Sequence, residues 1–303
     1  MPIWIAATIF AAFMQNLRFL LQHHLRKSAL STAGATWARF LYSAPIVACG
    51  VILYARLRGF DLPQIQPQFW AYIVLGSLAQ VLATACVVAL FGFRNFAIGV
   101  TLKKTETILT ACLGLVVLDE GVSVWIFAAI VVGVIGVILI SDGGQKGDGQ
   151  TLLARFATKA AFFGLASGGL FGVSAVTYRG AILSLEGGDA LLRSGFALAV
   201  ACAIQASSLG LWIAWRERAQ IGSVLHQWRI GLATGATSLM GSLGWFLAFG
   251  LQNAALVKAV GQVELVFTYL FSIFWLKERS TKKEVMGLVL ILAALLAIIL
   301  QEA

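Results

Sequence analysis

Apolar and polar residues alternate along this chain in long blocks, so that extended apolar runs are separated by short polar breaks. A helix needs about 20 predominantly apolar residues to cross the hydrocarbon core of a membrane. The pattern therefore predicts an all-α integral membrane protein with ten transmembrane helices. The predicted spans are 2–21, 32–54, 69–91, 96–118, 122–140, 157–178, 190–215, 230–249, 252–275 and 284–301.

Composition supports this interpretation. The 303 residues are 60% hydrophobic and 12% charged, whereas charged residues make up about a quarter of a typical soluble domain. Turns between the spans use up nearly all the polar sequence, which leaves no room for an appended catalytic domain. We therefore expect a multi-pass protein of the inner (plasma) membrane that is not an enzyme.

The net charge of +9 is spread over the turns and forms no compact patch, so we expect no nucleic-acid partner. Loops on the cytoplasmic side of a membrane protein carry an excess of Lys and Arg. By this rule both termini face outward. The basic residues of the richer side are Arg26, Lys27, Arg94, Lys146, Arg155, Lys159, Arg216, Arg218, Arg229, Lys277, Arg279, Lys282 and Lys283, and those of the other side are Arg56, Arg58 and Arg179.

The two halves of the chain resemble each other. A shift of 158 positions lays FGFRNFAIGVTLKKTETILTACLGLVVLDE, from Phe91, on FGLQNAALVKAVGQVELVFTYLFSIFWLKE, from Phe249, without a gap. Both segments carry a Glu within the apolar run, Glu106 and Glu264, and both end on Glu. We predict two five-helix repeats, 1–141 and 157–303, joined by a Gly-rich linker over 142–156. Because five is odd, the second repeat enters the membrane from the opposite side, which gives an inverted repeat.

These features resemble the EamA-type transporters of the drug/metabolite transporter (DMT) superfamily, over essentially the whole chain. The family pattern often reads Glu-Pro and Leu-Gly-Glu, where this chain has Glu106-Thr107 and Leu118-Asp119-Glu120. The resemblance implies a secondary transporter or exporter of small metabolites, including amino acids. It also implies cytoplasmic termini, against the loop charges, so the orientation stays open.

Ionisable side chains at membrane depth are costly and mark candidate sites. We expect substrate binding or proton coupling at Lys103, Lys104, Glu106, Lys258, Gln262 and Glu264 on spans four and nine, which should face each other. Further polar candidates are Gln15, Asn16, Arg18, Gln80, Ser242 and Trp245. We expect no metal site, because the sequence shows no His/Asp/Glu cluster.

Structural alternatives stand beside each of these roles. Lys103 and Glu106 could form an intrahelical pair that only fixes packing. Lys104, Lys258, Arg18, Arg39 and Arg193 could extend their charged ends to the membrane interface. Tyr178 and Trp37 are interpreted as interfacial aromatics.

The buried charges favour a function and a substrate sign. Six basic groups oppose two carboxylates, which predicts a positive interior suited to anions and zwitterions. We therefore predict a secondary active transporter, an exporter or exchanger, of small zwitterionic or anionic metabolites, amino acids first, working by alternating access. Quaternary ammonium or other organic cations are the alternative substrates. No ATP-binding loop is present, so we expect no cofactor, with protons as the candidate coupling ion. The partners expected are the substrate and the lipid bilayer, for a monomer or weak homodimer.

Overall fold

The computed structural model describes residues 2–27, 30–90, 99, 102–142, 158–267, 269 and 281–301. Within this part of the chain it gives bounds for eleven helices and two short strands. The helices are α1 Ile3–Lys27, α2 Thr32–Arg58, α3 Gln68–Leu90, α4 Glu106–Leu118, α5 Val124–Asp142, α6 Lys159–Leu183, α7 Ala190–Arg216, α8 Ala219–His226, α9 Trp228–Leu251, α10 Ala254–Val260 and α11 Lys282–Gln301, and the strands are β1 Gln64–Ile65 and β2 Leu185–Glu186.

The all-α class is confirmed, whereas the count of ten continuous spans is not. Among the described residues, six helices are long and apolar enough to cross a membrane: Ala33–Arg58, Gln68–Val87, Lys159–Leu183, Ala190–Arg216, Trp228–Leu251 and Lys282–Gln301. Several of the other helices are short, and predicted spans four and nine are each interrupted. All of the predicted linker beyond Asp142 lies outside the described residues, and the inverted repeat stays a prediction.

The chain divides into two compact units, and each unit draws on both halves of the sequence. The first unit comprises Met1–Pro2, Leu82–Val176 and Asn253–Ala303, and the second comprises Ile3–Val81 and Thr177–Gln252. In the first unit, α5 packs along α11 and α4 packs against α10. In the second unit, α1 packs along α9, and α2 packs against both α7 and α9. The strands β1 and β2 pair antiparallel in the second unit.

Polar side chains set where the long helices of the second unit begin and end. The hydroxyl of Ser31 accepts a hydrogen bond from the Gly34 amide at the start of α2, and the Asp189 carboxylate accepts one from the Leu192 amide at the start of α7. Gly59 ends α2 in the left-handed conformation, at φ 67°, which glycine adopts without steric cost. These caps satisfy backbone groups that helix ends otherwise leave unpaired.

The tight packing of α5 on α11 predicts that Gly136 tolerates no side chain. A Cβ atom there would lie 2.6 Å from the Gly287 carbonyl oxygen and 3.0 Å from an Ile291 side-chain carbon, whereas one at Gly133 would meet only the Ala294 Cβ, at 3.4 Å. We expect Gly136→Ala to lower the free energy of unfolding by about 1–3 kcal/mol. The matched change Gly133→Ala should be neutral or stabilising, because alanine is the better helix former. Thermal unfolding in detergent measures both, and equal midpoints would contradict the packing described.

Candidate functional site

The helix of predicted span four is interrupted where its charges lie. Leu102 and Lys103 are helical, the chain turns at Lys104 and Thr105, and α4 begins at Glu106. The Thr105 amide donates to the Leu102 carbonyl at 3.1 Å, and the Thr105 hydroxyl donates to the same oxygen at 2.7 Å. This three-residue spacing is the 3₁₀ pattern, which in the middle of a helix often marks a hinge. The break therefore forms without a proline.

Predicted span nine is interrupted at the equivalent place. Helix α10 ends at Val260, the chain turns at Gly261 and Gln262, and helix resumes at 263–267. Across this turn the backbone N–H of Gln262 donates to the Ala259 carbonyl at 3.1 Å, and the backbone N–H of Glu264 donates to the Gly261 carbonyl at 3.1 Å. The spacing changes here as well from four residues to three. Both breaks place polar side chains where regular helix hydrogen bonding stops.

The two interrupted spans bring three charged side chains together in the first unit. Lys258 Nζ lies 2.7 Å from Glu106 Oε1, and Lys103 Nζ lies 4.0 Å from Glu106 Oε2. The side chains are 16%, 20% and 12% exposed for Lys258, Lys103 and Glu106. We call these three residues the charge cluster. The predicted contact between spans four and nine is confirmed, and the cluster holds two ammonium groups for one carboxylate.

Helix α6 supplies the packing surface beneath the charge cluster. Lys103 Nζ lies 4.8 Å and Lys258 Nζ 5.9 Å from the centre of the Phe171 ring, within the range of cation–π attraction. One turn earlier, Gly168 lets α6 approach the break closely, because a Cβ atom at this position would lie 2.9 Å from the Lys103 carbonyl oxygen. Neither Phe171 nor Gly168 carried a sequence signal, since aromatic residues and glycines occur throughout the apolar runs.

Gln262 joins the two interrupted spans through Thr107. Its amide nitrogen donates to the Thr107 hydroxyl at 2.7 Å, while its carbonyl oxygen is buried without a hydrogen-bond partner among the described residues. A cavity of about 10 Å³ borders both side chains, which is close to the space that one water occupies. The predicted candidates Lys104 and Glu264 are half-buried in the same unit.

Other predicted candidates belong to the second unit, where Gln80 is part of a buried network. The Tyr178 hydroxyl donates to Gln80 Oε1 at 2.6 Å, and the Gln205 amide nitrogen lies 2.9 Å from the Tyr178 oxygen and 3.1 Å from Gln80 Oε1. Tyr178 and Gln205 are each only 2% exposed. The predicted interfacial position of Tyr178 is therefore wrong. Tyr178 lies on α6, and its hydroxyl links this helix to α3 through Gln80 and to α7 through Gln205.

Ser242 lies beside a buried arginine. Arg39 Nε donates to the Ser238 hydroxyl at 2.5 Å, and Arg39 Nη2 donates to the Ser242 hydroxyl at 3.4 Å. Arg39 is 6% exposed, so its guanidinium does not reach the membrane interface. The alternation of apolar residues around Arg39 could not reveal this, because its partners lie on α9, far along the chain.

The remaining predicted candidates are placed as follows. The Trp245 ring stacks on Phe249 with centroids 6.0 Å apart. Gln15 is half-buried on α1, and the side chains of Asn16 and Arg18 lie outside what the structure describes. The structure thus gathers Lys103, Glu106, Lys258 and Gln262 in the first unit, and it places Gln15, Gln80, Ser242 and Trp245 in the second.

Comparisons with known proteins find one similarity in sequence, to a protein family, and one similarity in fold, to a solved structure. The sequence model of the EamA-like transporter family matches residues 158–300, which is the second of the two predicted repeats. A crystal structure titled only "Crystal structure of protein" has a TM-score of 0.71 and 13% sequence identity, covering 99% of this chain and 97% of that one. It shows a shared fold alone. No curated protein matches the chain. Residues 158–300 of this chain thus resemble the EamA-like transporter family, which lies within the drug/metabolite transporter superfamily.

Proposed function

We propose that this protein is a DMT-type transporter, a secondary active carrier of small zwitterionic or anionic metabolites, amino acids first, in the inner membrane. The observation that carries the proposal is the charge cluster. Lys103 and Lys258 bring two ammonium groups to one carboxylate, Glu106, in a partly buried setting. Lys104 and Glu264 also interact electrostatically with Lys103, so three lysines face two glutamates and one positive charge is in excess. An anion could balance that charge, and burial strengthens electrostatic attraction.

The distances indicate how a zwitterion would bind. Lys258 is tightly paired with Glu106 at 2.7 Å, whereas Lys103 lies at 4.0 Å, the limit of an ion pair. A substrate carboxylate would therefore pair first with Lys103. The ammonium group of the substrate would pair with the Glu106 carboxylate.

Alternating access would use the two helix breaks. In transporters with interrupted helices, the broken ends point at the substrate and the flanking halves move. Here the breaks at Lys104–Thr105 and Gly261–Gln262 directly adjoin the charge cluster. A change in pairing within the cluster would then be coupled to a change of angle at the breaks. Glu106 or Glu264 is the proposed proton carrier.

An organic cation is the second candidate substrate, favoured by Phe171. This ring already lies beside two ammonium groups, and aromatic faces bind quaternary ammonium ligands by the same attraction. A cation would have to displace a lysine from the ring and pair with Glu106 or Glu264. The two readings thus differ in whether Lys103 assists or opposes binding.

A thermal-shift panel of amino acids, organic anions and quaternary amines on the purified protein tests the proposal. We expect amino acids or anions to stabilise the wild type, and Lys103→Ala to abolish that stabilisation. The exposed residues Lys282 and Asp61 provide the matched controls Lys282→Ala and Asp61→Asn, which should respond like the wild type. Stabilisation by quaternary amines alone, lost in Glu264→Gln, would overturn the zwitterion assignment and support the cation.

A further inference from the structure

We propose that Arg39, held by Ser238 and Ser242, forms an anion-binding site in the second unit that takes a carboxylate or phosphate group of a small molecule. The residues are distinct from the charge cluster of the first unit. The inference rests on the proposed function only in assigning this anion to a transported molecule. All three residues of the binding site belong to the second unit.

The first reason is a buried charge without a counter-ion. Arg39 is 6% exposed, and its partners are two neutral hydroxyls and the ring of Phe40, whose centre lies 4.8 Å from Cζ. No carboxylate of the described residues pairs with it. Buried charges are normally paired or bind ions, because an uncompensated charge in a low-dielectric interior is costly. A bound anion would supply the missing charge.

The second reason is the geometry of the free hydrogen-bond donors. A guanidinium has five N–H donors in one plane. Ser238 and Ser242 take Nε–H and one hydrogen of Nη2, which lie on the same side of the group. The end formed by Nη1 and Nη2 keeps two parallel N–H groups. This is the edge that binds a carboxylate or phosphate through two hydrogen bonds at once.

The third reason is the direction of the side chain. The first turns of α2 and α9 lie at the same end of the unit, where they share a hydrophobic cluster. The Ser43 hydroxyl donates to the Gly235 carbonyl, whereas Arg39, one turn earlier on α2, reaches Ser238 and Ser242, later on α9. The guanidinium therefore extends away from the nearer helix starts, toward the middle of the spans. A side chain that only avoided burial would extend the other way.

Arg179 shows what a purely structural arginine looks like in the same unit. Its Nη1 donates to the carbonyl oxygens of Phe249 and Gln252, both at 2.6 Å, at the end of α9. The C-terminal end of a helix carries partial negative charge and unpaired carbonyls, so this charge is compensated within the protein. Arg39 has no such backbone partner among the described residues.

Anion-dependent stabilisation of the purified full-length protein is the first test. Sodium acetate and sodium phosphate are titrated against sodium chloride at constant ionic strength, and the shift in melting temperature gives an apparent affinity. Stabilisation by acetate would identify a carboxylate site, and stabilisation by phosphate alone would identify a phosphate site. We expect Arg39→Lys to lower the affinity about tenfold or more, because lysine lacks the planar pair of donors. The matched control is Arg56→Lys, at an exposed position on the same helix.

A second measurement on the wild type covers the case that Arg39→Lys does not fold. Phenylglyoxal modifies accessible guanidinium groups, and peptide mass spectrometry reports Arg39 and Arg56 separately. We expect acetate or phosphate to slow modification of Arg39 and to leave Arg56 unchanged. Equal shifts in chloride, or an Arg39 that is unreactive or unprotected, would overturn the anion site. Amino-acid binding that still depends on Lys103 would then leave the proposed function standing.

Discussion

Replacement of Glu106 by glutamine is expected to lower the free energy of unfolding by about 3–5 kcal/mol and to abolish transport. The change removes the one carboxylate of the charge cluster. Lys103 and Lys258 would then stand beside the same Phe171 ring without the negative charge that now lies 4.0 and 2.7 Å from them. Breaking a buried ion pair from one side costs more than the pair itself contributes, because the remaining charge stays buried.

Replacement of Lys258 by methionine is expected to cost less, about 1–3 kcal/mol, because Glu106 keeps Lys103 as a partner. The double variant Glu106→Gln with Lys258→Met should be more stable than Glu106→Gln alone, since one of the two ammonium groups that lost the Glu106 carboxylate is gone. Unfolding of the purified protein by SDS titration in mixed micelles measures all three variants. Equal stability of Glu106→Gln and wild type would show that the cluster does not form in the protein.

The location of the charge cluster could be predicted because its residues lie within apolar runs. Charged residues inside an apolar run stand out against a uniform background, and few arrangements can bury them. The shift that aligns Glu106 with Glu264 also indicated that spans four and nine belong together, and the contact between α4 and α10 confirms this. The pairing of Glu106 with Lys258 was not predicted, since the spacing of Lys103 and Glu106 offered a nearer partner on the same helix.

Features that depend on distant contacts were not predictable from spacing. The breaks at Thr105 and Gly261 occur without proline, and glycines recur throughout the apolar runs, so no local signal distinguished these two positions. Tyr178 is buried because Gln80 and Gln205 meet its hydroxyl, a fact of packing among three helices. In a helix that is apolar on every face, the length of the apolar run identifies the span, but the sequence does not show which face contacts another helix.

The second large effect is expected at Gly168, where α6 touches the break in span four. A Cβ atom there would lie 2.9 Å from the Lys103 carbonyl oxygen and 3.4 Å from the Glu106 amide nitrogen, while Gly169 has open space around it. We expect Gly168→Leu to displace the turn between these residues and to reduce transport at least about tenfold, because small displacements of aligned groups have large functional costs. Gly169→Leu, the neighbouring change on the same helix, should retain most activity.

Comparing Gly168→Leu with Gly169→Leu distinguishes an effect on the position of the turn from an effect on the stability of the protein. Overpacking costs about 1–3 kcal/mol, which a folded membrane protein can survive, so Gly168→Leu should remain monodisperse while its transport falls. Substrate flux into proteoliposomes, normalised to the folded protein, is the measurement for both variants. If Gly168→Leu transports like Gly169→Leu, the geometry of the break does not limit transport. If Gly168→Leu alone loses flux, the turn that carries Lys103 and Glu106 must be held in place by α6, which is what a substrate site on the interrupted helix requires.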